Sequence, residues 1–453
     1  MRPKLEPTRR AASNMVMEWY WALTLLLGSA VALLVIGLPV AFAFFAANIV
    51  GAFIFLRGEI GLSLMPIEYA LSITKFTLVP VALFILMGEI LFQTGVAFRS
   101  INAIDKLISR VPGRLAIVSI AGGSVFSSLS GSTIANTALL GNLLLPDMLK
   151  RGYQPTLAIG PIMAVGGIAM LIPPSALAVL LASLAERSIT DLLIAGVLPG
   201  LMMSALFVVY VLIRCRLNPS LAPQADEALE RGWVRWRPFF VDVLPLFIIF
   251  AVVVGSIFLR IAAPEEAAAL GCLAAVAISA AYGKLTRQAL MKALRETAKI
   301  NVMLLFIITG SLTFAQVLQV SGATSGVLQA IDAVSLTQVS AMLLMMLLLL
   351  FLGCFMDQIS MILLTLPFFL PIADTLGMNS TWLMVMMLIA MEISLKTPPF
   401  GLLLFVMKGV APAHIRITQI YQAALPFIGL ELIVMGMVIA FPAIALFLPN
   451  LLR

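Results

Sequence analysis

The sequence predicts an all-α polytopic membrane protein made of two inverted repeats, each holding a re-entrant hairpin and a proline-broken helix. Three observations predict it. First, 62% of the 453 residues are apolar and 11% are charged, against roughly 25% charged residues in a soluble domain. The chain therefore lacks the polar residues to coat three soluble domains of about 150 residues each. Second, apolar stretches recur along its whole length, at about 17–56, 74–97, 115–145, 156–184, 191–213, 238–259, 264–282, 300–320, 335–371, 380–407 and 417–449. Third, structure-breaking residues recur in one register. Pro146 and Pro371, Gly152 and Gly377, and Pro173-Pro174 and Pro398-Pro399 are each 225 residues apart.

The elements follow in order. Residues 1–16 form a basic tail with Arg2, Lys4, Arg9 and Arg10. The apolar run beginning at Trp19 is too long for the core of a cleaved signal and reads as retained membrane helix. The 17–56 stretch holds one long crossing or two, with a break at Gly37-Leu38-Pro39. The first membrane half, 17–213, contains a hairpin at about 114–147 and a broken helix at about 156–184. Basic residues flank the hairpin on both sides (Arg110 and Arg114; Lys150 and Arg151). Positive flanks favour the cytoplasm, so both ends of the hairpin belong on one side. Its tip is the Ser/Gly cluster Ser127-Ser128-Leu129-Ser130-Gly131-Ser132-Thr133.

A polar linker, 214–237, separates the halves. The second half, 238–453, offers a hairpin at about 335–373, with Gly353 and Asp357 near its middle, and a broken helix at about 380–407. Phe84–Gly88 also resembles Phe306–Gly310, at a shift of 222, and Ser132 and Asp357 share the 225 register. The positive-inside rule puts the loops holding Arg99, Lys106, Arg110, Arg114, Lys150 and Arg151, and those at Arg214 to Arg237 and Lys284 to Lys299, in the cytoplasm. The first hairpin then enters from the cytoplasm and the second from outside, which is the inversion. Hairpins and broken helices bring the count to roughly ten to twelve crossings. Helices from 17–56, 238–282 and 417–449 are expected to supply scaffold and partner contacts.

Several function classes are excluded. The net charge of +7 reflects lysines and arginines in short loops, so it marks membrane anchoring and not nucleic-acid binding. Cys215, Cys272 and Cys354 form neither a disulfide framework nor a metal pair and read as packing residues. The single histidine, His414, reads as a surface residue, and with no HExxH pair the chain is not read as an enzyme. Internal repeats with interrupted helices are a transporter signature, with the binding site at their interface.

The candidate site residues lie at these interruptions. Ser128, Ser130, Ser132 and Thr133 supply hydroxyl oxygens suited to an alkali cation; small-residue helix packing is the alternative. Pro173, Pro174 and Ser175 free backbone carbonyls in one broken helix, and Thr397, Pro398 and Pro399 do so in the other. Asp357 is a carboxylate within an apolar run, where a charge costs at least ~2.5–3.5 kcal/mol, so it reads as a cation ligand or proton carrier. Glu392 and Lys396, four apart, share a helix face. They form an internal ion pair, or Lys396 attracts an anionic substrate or substitutes for a cation. Glu89 and Glu431 also lie in apolar runs, where each could cap a half-helix or meet a partner subunit.

These residues resemble the large membrane subunit of the TRAP transporters (tripartite ATP-independent periplasmic; the DctM family within the ion transporter superfamily). The pieces that carry the likeness are SSLSGSTIANTALLGNLLLPDMLKRGY at 127–153, LIPPS at 171–175, DLLIAGVLPG at 191–200, PEEAAALG at 264–271, LGCFMDQISMILLTLPFFLP at 352–371 and TPPFGLLLF at 397–405. The likeness covers about residues 20–450.

The resemblance implies an elevator-type secondary transporter in a bacterial inner membrane, working beside a small DctQ-type membrane subunit. It implies a periplasmic binding protein that delivers an organic acid anion such as a dicarboxylate, and a sodium gradient as the driving force, with no other cofactor. A one-component sodium-coupled anion symporter of the same architecture is the alternative. By motif, Ser130, Ser132 and Pro173–Ser175 match the first sodium region; Gly353 and Asp357, with Thr397 and Pro398, match the second. The chain departs from the family pattern at Asn136, where many relatives have Asp, and in placing Glu392 and Lys396 before the Thr-Pro-Pro break. Losing an acid and adding a cation weakens sodium binding there. Lys396→Ala is therefore expected to change the sodium dependence of uptake, and an unchanged sodium titration in reconstituted vesicles would contradict it.

Overall fold

The computed structural model of the protein describes residues 17–452 other than 57, 97–98, 101–102, 105–112, 131 and 223–232. The side chains at 35, 128–130, 234–235 and 332 are also outside the description. The basic tail, Lys106, Arg110, Gly131, the side chains of Ser128 and Ser130, and residues 223–232 of the linker therefore lie outside the described residues. Among the described residues all regular structure is helical.

The helices are α1 (Trp19–Val35), α2 (Val40–Phe55), α3 (Glu59–Ile73), α4 (Val79–Gln93), α5 (Arg114–Ser130), α6 (Thr133–Lys150), α7 (Pro155–Ile168), α8 (Ala176–Leu184) and α9 (Ile189–Leu217). After a lead-in at Trp233–Val243 come α10 (Leu244–Phe258), α11 (Pro264–Ala281), α12 (Arg287–Val320), α13 (Ala323–Val334), α14 (Gln338–Leu352), α15 (Gln358–Thr375), α16 (Ser380–Ser394), α17 (Leu402–Val410), α18 (Ile417–Ala440) and α19 (Ala443–Leu451). The 17–56 stretch thus resolves into two helices broken at Gly37-Leu38-Pro39, with Gly37 at φ +93°.

Among the described residues, seven helices are long and apolar enough to cross a bilayer, and six shorter apolar ones accompany them. Large apolar side chains such as Ile36, Phe53, Leu217 and Leu347 stay exposed. In a membrane protein these face lipid, which is no less apolar than a leucine side chain. His414 is exposed, and Cys215 and Cys272 are buried free thiols.

The chain forms two compact units, and each draws residues from both sides of the 214–237 linker. One comprises Met1–Ile73 and Phe306–Ser335. Within it the buried Asn48 Nδ2 donates to the Gly310 carbonyl at 2.6 Å, Phe44 packs on Phe314, and Gln316 donates to Glu68 at 2.8 Å. The other unit comprises Thr74–Leu305 and Leu336–Arg453, and it holds every candidate site residue.

In that second unit the helix boundaries repeat. α6 (133–150) and α15 (358–375) are offset by 225 at both ends; α7 and α16 start 225 apart; α8 (176–184) and α17 (402–410) are offset by 226. The local reasons repeat too. Ser132 caps α6 and Asp357 caps α15. Both helices stop at a left-handed glycine, Gly152 at φ +87° and Gly377 at φ +64°. Each stop closes with the same pair of bonds, Gly152 N–H to Leu149 O and Tyr153 N–H to Met148 O in one, Gly377 N–H to Asp374 O and Met378 N–H to Ala373 O in the other. A side chain at either glycine would be strained, because only glycine adopts that conformation cheaply.

α7 and α16 are buried on nearly every side. Both are apolar around most of their circumference, which suits a helix with no solvent face. α7 packs on α5, α6 and α18, and α16 on α14, α9 and α18.

Candidate functional site

Each repeat contains a helix that stops and restarts. α7 ends at Ile168, and 169–175 leads through the cis Pro173-Pro174 bond to α8. α16 ends at Ser394, and 395–401 leads through the cis Pro398-Pro399 bond to α17. The free backbone groups at each break are partly satisfied locally. Ser175, 1% exposed, donates its hydroxyl to Met170 O at 2.9 Å and accepts from Ala178 N–H at 3.2 Å. At the second break Leu403 N–H donates back across the gap to Leu395 O at 3.0 Å, and Thr397 donates to Ile393 O at 2.8 Å. From α18, Tyr421 donates to Pro399 O at 2.9 Å.

A helix pair seats against each break. At the first, Ser127 on α5 donates to Val165 O (3.1 Å) and Gly166 O (3.0 Å) on α7. A Cβ at Gly166 would lie 2.4 Å from Thr137 Oγ1 on α6. At the second, the α14–α15 turn approaches so closely that a Cβ at Gly353 would lie 2.1 Å from Ser394 on α16. Two glycines thus set how near the pairs come to the breaks.

The predicted residues divide by chemistry. Ser132 is half-buried and accepts from Ala135 N–H at 3.3 Å as the cap of α6. Behind it, Thr133, Asn136 and Thr137 are buried, and Thr133 Oγ1, both amide atoms of Asn136 and Thr137 Oγ1 have no hydrogen-bond partner. An unmet buried polar group costs about 1–3 kcal/mol, so three of them on consecutive turns form an environment built for something polar. Thr137 was not picked out from the sequence; its position one residue beyond Asn136 was the available signal.

Asp357 has a different setting. Its Oδ2 accepts from Ile359 N–H (3.0 Å) and Ser360 N–H (3.3 Å), and its Oδ1 from the Ser360 hydroxyl. Three donors and the positive end of a helix explain how a carboxylate persists in an apolar run. It remains half-buried, with lone pairs left on both oxygens.

The third cluster lies between the breaks. Lys396 Nζ forms ion pairs with Glu392 and with Glu431 on α18, and all three side chains are fully buried. The spacing of four residues places the first pair; Glu431 was not assigned to it. The missed signal was charge balance, since an acid inside an apolar helix needs a cation and Lys396 was within the same apolar half.

Glu392 lies against the last turn of α7, just before the first break: a Cβ at Gly167 would fall 1.3 Å from its carboxyl carbon. Residues 167 and 392 are 225 apart, so the equivalent positions of the two repeats touch each other.

The sequence matches the family described as "Tripartite ATP-independent periplasmic transporter, DctM component" over residues 27–444. The chain belongs to the DctM family. Among its relatives, the C4-dicarboxylate TRAP transporter large permease protein DctM of Pseudomonas aeruginosa is 31% identical over 376 residues, 83% of this chain and 86% of that protein. The isethionate TRAP transporter permease protein DctMQ of Oleidesulfovibrio alaskensis is 27% identical, with 96% of this chain matching 68% of that protein. Among solved structures, the Alcanivorax borkumensis YdaH transporter shares the fold with a TM-score of 0.62 at 16% identity, covering 85% of this chain and 90% of that one. This DctM-family chain is therefore a multi-pass TRAP large permease subunit, a member of a transporter family and not of an enzyme family.

Proposed function

We propose that this subunit carries an organic acid anion across a bacterial inner membrane, driven by a sodium gradient, after delivery by a periplasmic binding protein. The observation that carries the reading is the pair of interrupted helices, each with a helix pair seated on its break. Breaks expose carbonyls and helix ends that can hold cations and anions side by side. The names of the relatives, C4-dicarboxylate and isethionate permeases, support a small organic anion as cargo. The fused DctMQ relative supports a small DctQ-type partner subunit.

The first sodium region joins the Ser130–Thr133 segment to the break at Pro173–Ser175, with Asn136 beside it as a substrate or coupling residue. The second joins Gly353 and Asp357 to Thr397 and Pro398. Hydroxyl, carbonyl and carboxylate oxygens are hard donors that fit sodium, and the unpartnered oxygens of Thr133, Asn136 and Thr137 fit a polar ligand beside the first break. The 225-residue register, and the contact between equivalent residues 167 and 392, support two repeats related by a twofold axis through the second unit. Equivalent points of a twofold pair touch only on the axis. Inversion of the repeats then gives two alternately open states, with the elevator motion that the resemblance implies.

The experiment is uptake into vesicles containing this subunit and its small partner, with labelled dicarboxylates. Accumulation that requires both an inward sodium gradient and the binding protein is the expected result. Accumulation without the binding protein would instead assign a one-component symporter, and accumulation without sodium would overturn the coupling.

A further inference from the structure

The Glu392–Lys396–Glu431 cluster is not neutral by count. Two carboxylates face one ammonium, and all three are fully buried. Each glutamate gives one oxygen to Lys396, while Glu392 Oε2 and Glu431 Oε2 are buried with no partner. With both acids ionised, one net negative charge would be sealed in the protein interior, where a charge is retained only if paired.

Among the described residues of the helices packed on α16 and α18, no other group supplies the balancing charge. α7, α8, α14 and α19, which pack on α16 and α18, carry no titratable residue. On α15, Asp374 is paired with Arg187; on α17, Lys408 donates to Ile415 O. α9 carries Asp191 in its first turn, and Tyr210, Arg214, Cys215 and Arg216 towards its far end, with Arg214 donating to Tyr210. On α18 itself, Tyr421 donates to Pro399 O.

We propose that this cluster is a proton-binding site, holding one proton shared between the carboxyls of Glu392 and Glu431. Binding forms one O–H bond on a carboxylate oxygen and cancels one negative charge, leaving carboxylic acid, carboxylate and ammonium. The two acids act as a pair, so the proton belongs to both. A protonated oxygen also converts one of the two unpartnered acceptors into a donor. The place gives the proton a consequence for movement. Glu392 rests on Gly167 just before the first break, and Lys396 lies in the second break itself. Loss of the proton puts uncompensated charge where both interrupted helices meet.

The test is difference infrared spectroscopy of the purified full chain near neutral pH. Glu431→Gln and Glu392→Gln each leave one carboxylate paired with Lys396, so each should lose one carboxylic-acid C=O band relative to wild type. Two variants keep the test decisive if one fails to fold. A spectrum of either folded variant that retains the wild-type carboxylic-acid intensity would overturn the proposal. A second arm, resting on the transport reading above, measures uptake against pH: wild-type uptake should fall as the medium turns alkaline, while Glu431→Gln, permanently neutral, should lose that fall. The infrared arm needs no transport, so failure of the proton site and failure of the transport reading are told apart.

Discussion

The two interrupted helices share a framework and differ in chemistry. At the cap position of the paired helix, the first repeat has Ser132 and the second Asp357. In the turn that follows, the first has buried, unpartnered Thr133, Asn136 and Thr137, where the second has Gln358, Met361 and Ile362 in the same register. At the end of the broken helix the first has Gly167 and Leu171, the second Glu392 and Lys396. One side is neutral with open hydrogen-bonding capacity; the other is charged, with two buried carboxylates sharing one ammonium. The comparison teaches that backbone geometry alone does not fix what a break binds. A neutral polar pocket welcomes a ligand that completes its hydrogen bonds, whereas an internally paired cluster responds to a change in charge.

The largest expected effect comes from the charged side. Lys396→Met leaves two buried acids without their cation and should destabilise the protein by about 3–5 kcal/mol, as removal of one partner from a buried ion pair does. Thermal unfolding in detergent reads this, and an unchanged melting profile would break the comparison. Next is the contact between the repeats. Gly167→Ala drives a methyl group into the Glu392 carboxyl, and overpacking of this kind costs about 1–3 kcal/mol. Uptake should fall with it, and a fully active Gly167→Ala protein would show that Glu392 moves aside freely.

The caps come third. Asp357→Ala and Ser132→Ala each remove a helix cap, about 0.5–2 kcal/mol apiece. Similar melting losses are expected, but only Asp357→Ala also removes a charge and should abolish sodium-driven uptake. Equal uptake by the two variants would erase the chemical distinction between the repeats.

The smallest effect is a pH effect outside the membrane segments. In the turn between α8 and α9, Lys75 bonds Glu186 at 2.8 Å and holds its carboxyl below the ordinary 4.5, against a weaker opposing effect of burial. A lowered native value means that the contribution is fully present above 4.5 and is lost as pH falls through the lowered value. Because Glu186 is largely exposed, the gain is screened and lies within about 0–1 kcal/mol. Glu186→Gln should therefore change the melting temperature slightly at neutral pH and not at all in strong acid.

Much of the framework was legible in the sequence because it rests on residues with few conformational options. Pro173-Pro174 and Pro398-Pro399 restrict the backbone wherever they occur, so their spacing foretold the breaks, while Gly152 and Gly377 marked only the shared register, since glycine permits many conformations and tertiary context makes these two end helices. The 17–56 stretch was readable only as one crossing or two, since its deciding break, Gly37-Leu38-Pro39, is short beside the apolar run around it. The site was legible where partners are close in sequence, as with Glu392 and Lys396. It was not legible where tertiary packing chooses the partner. Glu431 lies 35 residues from Lys396, and nothing local to either residue names the other. The burial of Asn136 and Thr137 against α7 likewise depends on which helices pack together.

The meeting of positions 167 and 392 has a consequence for the ancestry of the molecule. A segment that is duplicated begins with the same residue in both copies. Because the two copies touch at this position, like residues would face each other there: two glutamates would repel and two glycines would leave a void. Glycine opposite glutamate resolves both problems, but only as a joint state. The two positions form a single hereditary unit, in which a bulkier residue at one is tolerated only alongside a smaller residue at the other.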